Sequence, residues 1–322
     1  HSAVWTGREV IFWGGGEFKA PSGADFAWPR DGLAYDPVAD TWRRIPEAPV
    51  RGRQGHSAVW TGTEMLVWGG HRNGRILVDG AAFDPVSERW RRIAPPPGEV
   101  GRHGHHAAWT GEEMVVWSGY PGAGSEERPS VEGLRYDPAE DAWRSMAPSG
   151  FGPREDDQMV WTGDELIAVG YGSESQAMVA AYDLATDHWS QLPPPGLSAS
   201  GWSTPMWTGA EVLFLTPSIP IDPAAGIEGL NAGYRPTDSC WWYAQGYAPP
   251  NSVTHEGLWA DDVALFVGRD GVAYDPASDA WLDLPASRGA VREDAALVWA
   301  GDRLVAWGGR RGESHRPLRG GG

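Results

Sequence analysis

Two residue types with ligand-binding chemistry recur in this 322-residue chain at constant distances from a repeated tryptophan. Seven residues before Trp60, Trp109, Trp161 and Trp299 stand Arg53, Arg102, Arg154 and Arg292. Four residues before Trp5, Trp60, Trp109 and Trp259 stand His1, His56, His105 and His255, and Asp157 holds the same place before Trp161. Converging guanidinium forks would match a carboxylate, a phosphate or a sugar acid bidentately. Converging imidazoles could hold a transition metal. A structural chemistry competes with both: an arginine paired with an acidic turn and a histidine bonded to backbone imitate a site while only holding a fold together.

Other chemistries find no support. No His-x-x-x-His pair occurs, and His103, His105 and His106 lie too close together to give more than one or two ligands, so neither a metal nor another cofactor is expected. Glycine doublets follow apolar runs without opening a helix, which removes the logic of a phosphate cradle. No Ser-His-Asp set stands out by spacing, so no catalytic residue is assigned. The single cysteine, Cys240, excludes an internal disulfide framework and a multi-cysteine cluster. It reads as buried, inert packing.

With 43 acidic residues against 26 basic ones, the formal charge of −17 argues against nucleic acid or an anionic membrane as partner. No stretch approaches the roughly 18 apolar residues of a membrane-spanning helix. Twenty tryptophans beside 44 glycines and 27 prolines describe a folded, turn-rich chain. Lys19 is the only lysine, an arginine bias that suggests a GC-rich bacterial genome. The chain starts at His1 with no initiator Met and no leader in view. We therefore expect a processed or cropped product of an exported, cell-surface or periplasmic protein.

The elements that must position the arginines and histidines follow from a repeat. Ser2-Ala3-Val4-Trp5-Thr6-Gly7 returns as Ser57-Ala58-Val59-Trp60-Thr61-Gly62, and variants recur at Trp109, Trp161, Trp207, Trp259 and Trp299. A second apolar run follows each, as in Val10-Ile11-Phe12-Trp13-Gly14-Gly15 and Met65-Leu66-Val67-Trp68-Gly69-Gly70. Two short β-rich runs joined through glycine read as a hairpin. A second hairpin opens at Tyr35-Asp36-Pro37, Phe83-Asp84-Pro85, Tyr136-Asp137-Pro138, Tyr182-Asp183, Tyr234-Arg235-Pro236 and Tyr274-Asp275-Pro276. Seven residues after each aromatic stands a tryptophan: Trp42, Trp90, Trp143, Trp189, Trp241 and Trp281. Each unit thus predicts four strands in two hairpins, without helical periodicity. Only Trp28, Trp202 and Trp242 fall outside the repeated positions; the others are expected to pack between neighbouring units.

Glycine doublets, a Tyr-Asp-Pro opening and a following Trp resemble the kelch repeat, over residues 1–309. The resemblance implies an all-β fold, a kelch-type β-propeller of four-stranded antiparallel blades forming a single domain, with 310–322 as an Arg/Gly-rich tail. Seven first halves against six second halves favour seven blades, with six as the alternative. The resemblance also implies that the strand 2–3 and strand 4–1 loops share one face. The longest strand 2–3 loops are Gly16 to Asp31, Tyr120 to Val131 and Pro217 to Gly229. Function is then expected in a non-catalytic module that recognises a protein or a glycan through that face. The channel mouth would be lined by Arg53, His56, Arg102, His105, Arg154, Asp157, His255 and Arg292. The alternative is a carbohydrate-active enzyme at the mouth, since galactose-oxidase-like enzymes and sialic-acid mutarotases use similar propellers. The copper ligands of the former find no matching set around Cys240.

Overall fold

The Thr-Gly pair between the first two apolar runs demands a reversal that ordinary extended backbone cannot make. Gly7, Gly62, Gly111, Gly163, Gly209 and Gly301 all take positive φ, from 81° to 104°, a region that glycine enters without cost. The Thr6 hydroxyl accepts the Glu9 N–H at 2.9 Å, and Thr61, Thr110, Thr162 and Thr208 repeat the contact.

The second hairpin is closed by a carboxylate. Asp36 accepts the N–H groups of Val38 and Ala39 at 3.0 and 2.9 Å, and the left-handed Asp40 (φ 52°) accepts the Tyr35 hydroxyl at 2.9 Å. The Tyr–Asp bond recurs at Asp141, Asp187 and Asp279. Turn length then dictates register. Tyr35 lies directly across from Trp42, Phe83 from Trp90, Tyr136 from Trp143, Tyr182 from Trp189, Tyr234 from Trp241 and Tyr274 from Trp281. The constant spacing of seven is the span of one cross-strand aromatic pair, which stabilises a sheet wherever it forms.

The computed structural model describes residues 1–18, 26–122, 130, 132–150, 158–171, 177–193, 205–215, 231–244, 257–267, 271–284, 293–311 and 314–317. The chain forms two compact units, His1–Glu155 with Ala296–Trp307, and Asp156–Ala295 with Gly308–Gly322. The first contains three four-stranded antiparallel blades. Blade 1 is built from Ser2–Trp5, Val10–Trp13, Gly32–Asp36 and Thr41–Ile45. Blade 2 is built from Ser57–Trp60, Met65–Trp68, Gly80–Asp84 and Arg89–Ile93, and blade 3 runs from His106–Trp109 to Ala142–Ser145. The second unit contains blades 4 to 6, from Gln158–Trp161 to Ala280–Asp283, in the same strand order.

Among the described residues six four-stranded blades are thus present, the smaller of the two counts, and the preference for seven is corrected. The last sheet has three strands, Glu293–Trp299, Leu304–Arg311 and Ser314–Pro317. Its third strand lies in the stretch read as a tail. Among the described residues the seventh first half, Glu293–Trp299 with Leu304–Arg311, gains one further strand and not the two that would complete a blade. Among the described residues the only helix is a single 3-10 turn, Pro97–Glu99. None is long and apolar enough to cross a membrane.

Each core lies between blades. In the first unit, Ile11 and Trp13 pack with Met65, Val67 and Phe83 of blade 2, while Val10 and Phe12 pack with Ala300 and Trp307 of the final hairpin. In the second unit, Ile167 and Val169 pack with Val212 and Phe214, and Leu213 and Leu215 with Ala264 and Phe266. A strand buried on both faces has no polar alternation, which is why the second runs read as continuous apolar tetrapeptides. The repeated tryptophans divide by position. Trp13, Trp68 and Trp117 of the second strands are fully buried, while Trp42 on an outer strand is 43% exposed and still touches Phe12 and Trp307.

Cys240 is exposed, which corrects its reading as core packing. It opens the outer strand Cys240–Tyr243 of blade 5, opposite the exposed Arg235. Apolar flanks such as Trp241 mislead here because they mark the register of the hairpin, whereas exposure is set by position along the strand.

Candidate functional site

In blades 1 and 2 the glycine doublet that ends the second strand receives the arginine and histidine of the next blade. The Gly15 N–H donates to the Arg53 carbonyl at 2.7 Å, and the Gly70 N–H to the Arg102 carbonyl at 2.6 Å. A Cβ on Gly14 would stand 2.6 Å from His56 Cε1, and one on Gly69 would stand 2.7 Å from His105 Cε1. The glycines are therefore a docking notch between blades. Any side chain there would drive the neighbouring histidine out.

Once past the notch, the guanidinium groups turn inward. Arg53 is 0% exposed. Its Nε donates to the Arg51 carbonyl at 2.8 Å, Nη1 to the carbonyls of Gly69 at 3.0 Å and Asp79 at 2.8 Å, and Nη2 to Asp79 Oδ1 at 2.7 Å. Arg102 is equally buried and donates Nη1 to the Ser118 carbonyl at 3.3 Å and to the Glu132 carbonyl. Burial lowers both side chains, Arg102 to about 10. Each ties the ends of its own blade's strand 2–3 loop, so neither presents a fork to solvent.

The histidines are inter-blade clips. His56 lies edge-on to Trp13 with ring centroids 5.1 Å apart, and its Nε2 is 2.9 Å from Ser2 Oγ. His105 repeats this on Trp68 at 5.0 Å and Ser57 Oγ at 2.9 Å. His1 reaches the Trp307 carbonyl through Nε2 at 2.8 Å. Serine next to histidine suggests a catalytic pair, but among the described residues neither Nδ1 meets a carboxylate that would fix the tautomer for base catalysis. Arg154, Asp157, His255 and Arg292 lie outside the described residues.

Burial drives the His105 imidazole down from 6.5 to about 3, aided by the Arg102 charge, and takes His56 well below its ordinary value. Both are neutral when folded, whereas an unfolded histidine takes a proton near 6.5. Stability from these clips is complete above about pH 6.5 and falls as pH drops towards the folded value. His105 alone is expected to cost about 2 kcal/mol at about pH 5. Urea melts between pH 7.5 and 5 check this, with His105→Gln expected to flatten the slope. The turn carboxylates Asp36, Asp84, Asp183 and Asp275 are held below their ordinary value of 3.8 by the backbone and hydroxyl hydrogen bonds they accept, so they titrate below this window.

What the first unit does present stands one residue further on. Gln54 follows Arg53 and pairs by backbone with His71, which follows the doublet Gly69-Gly70. His103 follows Arg102 and pairs in the same way with Tyr120, which follows Ser118-Gly119. The four side chains form a partly exposed strip. Gln54 Nε2 is 3.1 Å from His71 Nε2, the His71 and His103 rings meet at 5.0 Å, and His103 stacks on Tyr120 at 5.5 Å. Burial and the neighbouring His103 lower the His71 pKa, which favours the neutral form of that ring. Beside the strip, Trp28 Nε1 donates to Asn73 Oδ1 at 2.9 Å, while Arg30 and Asp31 are occupied by Glu47 and Arg44. Lys19 and residues 126–128 lie outside the described residues. The strip was legible as a register, the residue after each arginine and after each doublet, but its residue types differ from blade to blade and so escape a search for identity.

Among the described residues, no group of three or more His, Cys, Asp or Glu side chains is placed to hold a metal ion. No curated protein sequence matches the chain. The family model of the KLHDC2/KLHL20/DRC7 Kelch-repeats domain matches residues 1–208. With that match over more than half its length, on top of four-stranded blades locked by Gly-Gly notches and Tyr–Trp pairs, the chain belongs to the KLHDC2/KLHL20/DRC7 kelch-repeats domain family and has the kelch β-propeller fold class.

Proposed function

We propose that the chain is a non-catalytic interaction module that recognises a protein through the loop face of its first unit, around His71, His103 and Tyr120. Kelch propellers commonly serve as protein-interaction modules. The observation that carries the reading is the division of labour in the loops. Arg53 and Arg102 are buried within their own blades, and the neighbouring positions leave stacked aromatic and imidazole rings partly exposed. Such rings bury large area at little conformational cost and are enriched where proteins meet.

Peptides selected from a display library on the full chain test this. Selected peptides are expected to bind Tyr120→Ala and His103→Ala about tenfold more weakly, the loss of a moderate interface anchor, while both variants melt as the parent does. Selected peptides indifferent to both substitutions would overturn the loop-face reading. A glycan array run in parallel tests the other ligand class: saturable glycan binding lost in Tyr120→Ala would replace the protein partner by a sugar.

A further inference from the structure

Among the described residues, one glutamate that closes a Thr-Gly turn lacks the side-chain donor that its counterparts in blades 1, 2, 3 and 5 have. The glutamate closing each Thr-Gly turn is gripped by an arginine of its own blade in blades 1 to 3. Arg43 donates Nη2 to Glu9 Oε1 at 2.5 Å and Nε to Oε2 at 3.2 Å. Arg91 holds Glu64 in the same way, at 2.7 and 3.1 Å. In blade 3 the donor comes from the third strand, with Arg135 Nε 2.6 Å from Glu113 Oε2. In blade 5 the Trp242 indole N–H donates to Glu211 at 2.6 Å.

Two positions therefore deliver the donor: the residue after the fourth-strand tryptophan and the residue before the third-strand tyrosine. They face each other across the hairpin, as Ala34 faces Arg43, Ala82 faces Arg91 and Arg135 faces Arg144. In blade 4 both are short. Ala181 faces Ser190, and among the described residues no donor reaches the Glu165 carboxylate. Glu165 is partly buried and has the like charges of Asp164 and Asp183 nearby, which together with burial raise its pKa.

We propose that this gap is a socket for an arginine side chain of a protein partner, which completes in trans the Glu–Arg pair that blades 1 to 3 make in cis. The sister blades show that a guanidinium fits the position, and its planar fork matches a carboxylate edge. The position opens to solvent: Arg43 and Arg91 are about one-third exposed, and Ser190 is exposed. A chain of net charge −17 draws basic segments towards it. The socket lies in the second unit and is independent of the loop face of the first.

The test uses the full chain and two probes, N-acetyl-arginine amide and its neutral isostere N-acetyl-citrulline amide, followed by the NMR signal of the Glu165 side-chain carboxyl carbon. Arginine amide is expected to shift that signal saturably, with citrulline amide at least about fivefold weaker, as one partly exposed ion pair allows. Glu165→Gln should abolish arginine binding, read on neighbouring amide signals. Ser190→Arg, or Ala181→Arg where the first folds poorly, should fill the socket from within and abolish it too. No shift, equal shifts from both probes, or arginine binding that survives in Glu165→Gln or in the arginine-filled variants would overturn the proposal. Tighter binding of free arginine than of its blocked amide would overturn the protein source, because a protein's arginine brings no free α-carboxylate.

Discussion

Trp68→Ala is expected to lower the stability of the first unit by about 3–5 kcal/mol, the range for truncating a fully buried large aromatic. Trp68 is fully buried between blades 2 and 3. It meets Trp143 at 5.0 Å and the His105 ring edge-on at 5.0 Å, and its indole N–H donates to the Val78 carbonyl at 3.1 Å. Removing it opens a cavity, frees the histidine clip and leaves the part-buried Val78 carbonyl short of a donor. Three penalties then fall on one inter-blade surface. Trp42→Ala, on a ring 43% exposed, is expected to cost less than half as much. Urea melts followed by tryptophan fluorescence and far-ultraviolet dichroism check both. A loss below about 1 kcal/mol at Trp68 would mean that the blades are not held by this ring.

Arg53→Ala is expected to cost stability and not affinity. Breaking a buried, fully hydrogen-bonded charge by removing one partner costs about 3–5 kcal/mol. Here the partners left behind are the carbonyls of Arg51, Gly69 and Asp79 and the Asp79 carboxylate. Asp79 is one-third exposed and can recover water, so the main penalty falls on the backbone carbonyls, above all the buried one of Gly69. Arg43→Ala, which breaks the partly exposed pairs with Glu9 and Glu88, is expected to cost about 1 kcal/mol or less. Measured well below the melting temperature, Arg53→Ala should bind the selected loop-face peptides as the parent does. Unchanged melting with lost binding would return the arginine register to the list of ligand contacts.

The hairpins were legible because their determinants are local. A tyrosine and a tryptophan seven residues apart across an Asp-Pro turn specify one register, and Tyr35–Trp42 and Tyr274–Trp281 realise it at opposite ends of the chain. The Thr-Gly reversals and the double-sided burial of runs such as Met65–Trp68 follow in the same way from turn chemistry and apolar continuity. The blade count failed at the last hairpin, Glu293–Trp299 with Leu304–Arg311, whose sheet stops at three strands among the described residues and does not make a seventh four-stranded blade. Cys240 failed because its exposure depends on which strand end lies at an edge.

The residues that looked most chemical divide along the same line. The recurrence of Arg53 and Arg102, and of His56 and His105, is visible in the letters, and so is their convergence on one set of loops. What occupies their donors is not. Arg53 spends its guanidinium on the carbonyls of Gly69 and Asp79, and Arg102 on those of Ser118 and Glu132. Every residue carries a carbonyl, so an acceptor of that kind leaves no mark in a sequence. The missing donor at Glu165 shows the converse, since Ala181 and Ser190 announce the gap by register alone. Side-chain partners can thus be read from a repeat by their letters, and the sequence by itself determined the hairpins, the inter-blade tryptophans and the arginine–histidine register. Only the tertiary structure decided which of those polar groups the backbone had already claimed, because backbone acceptors are identical along the chain and are selected by packing.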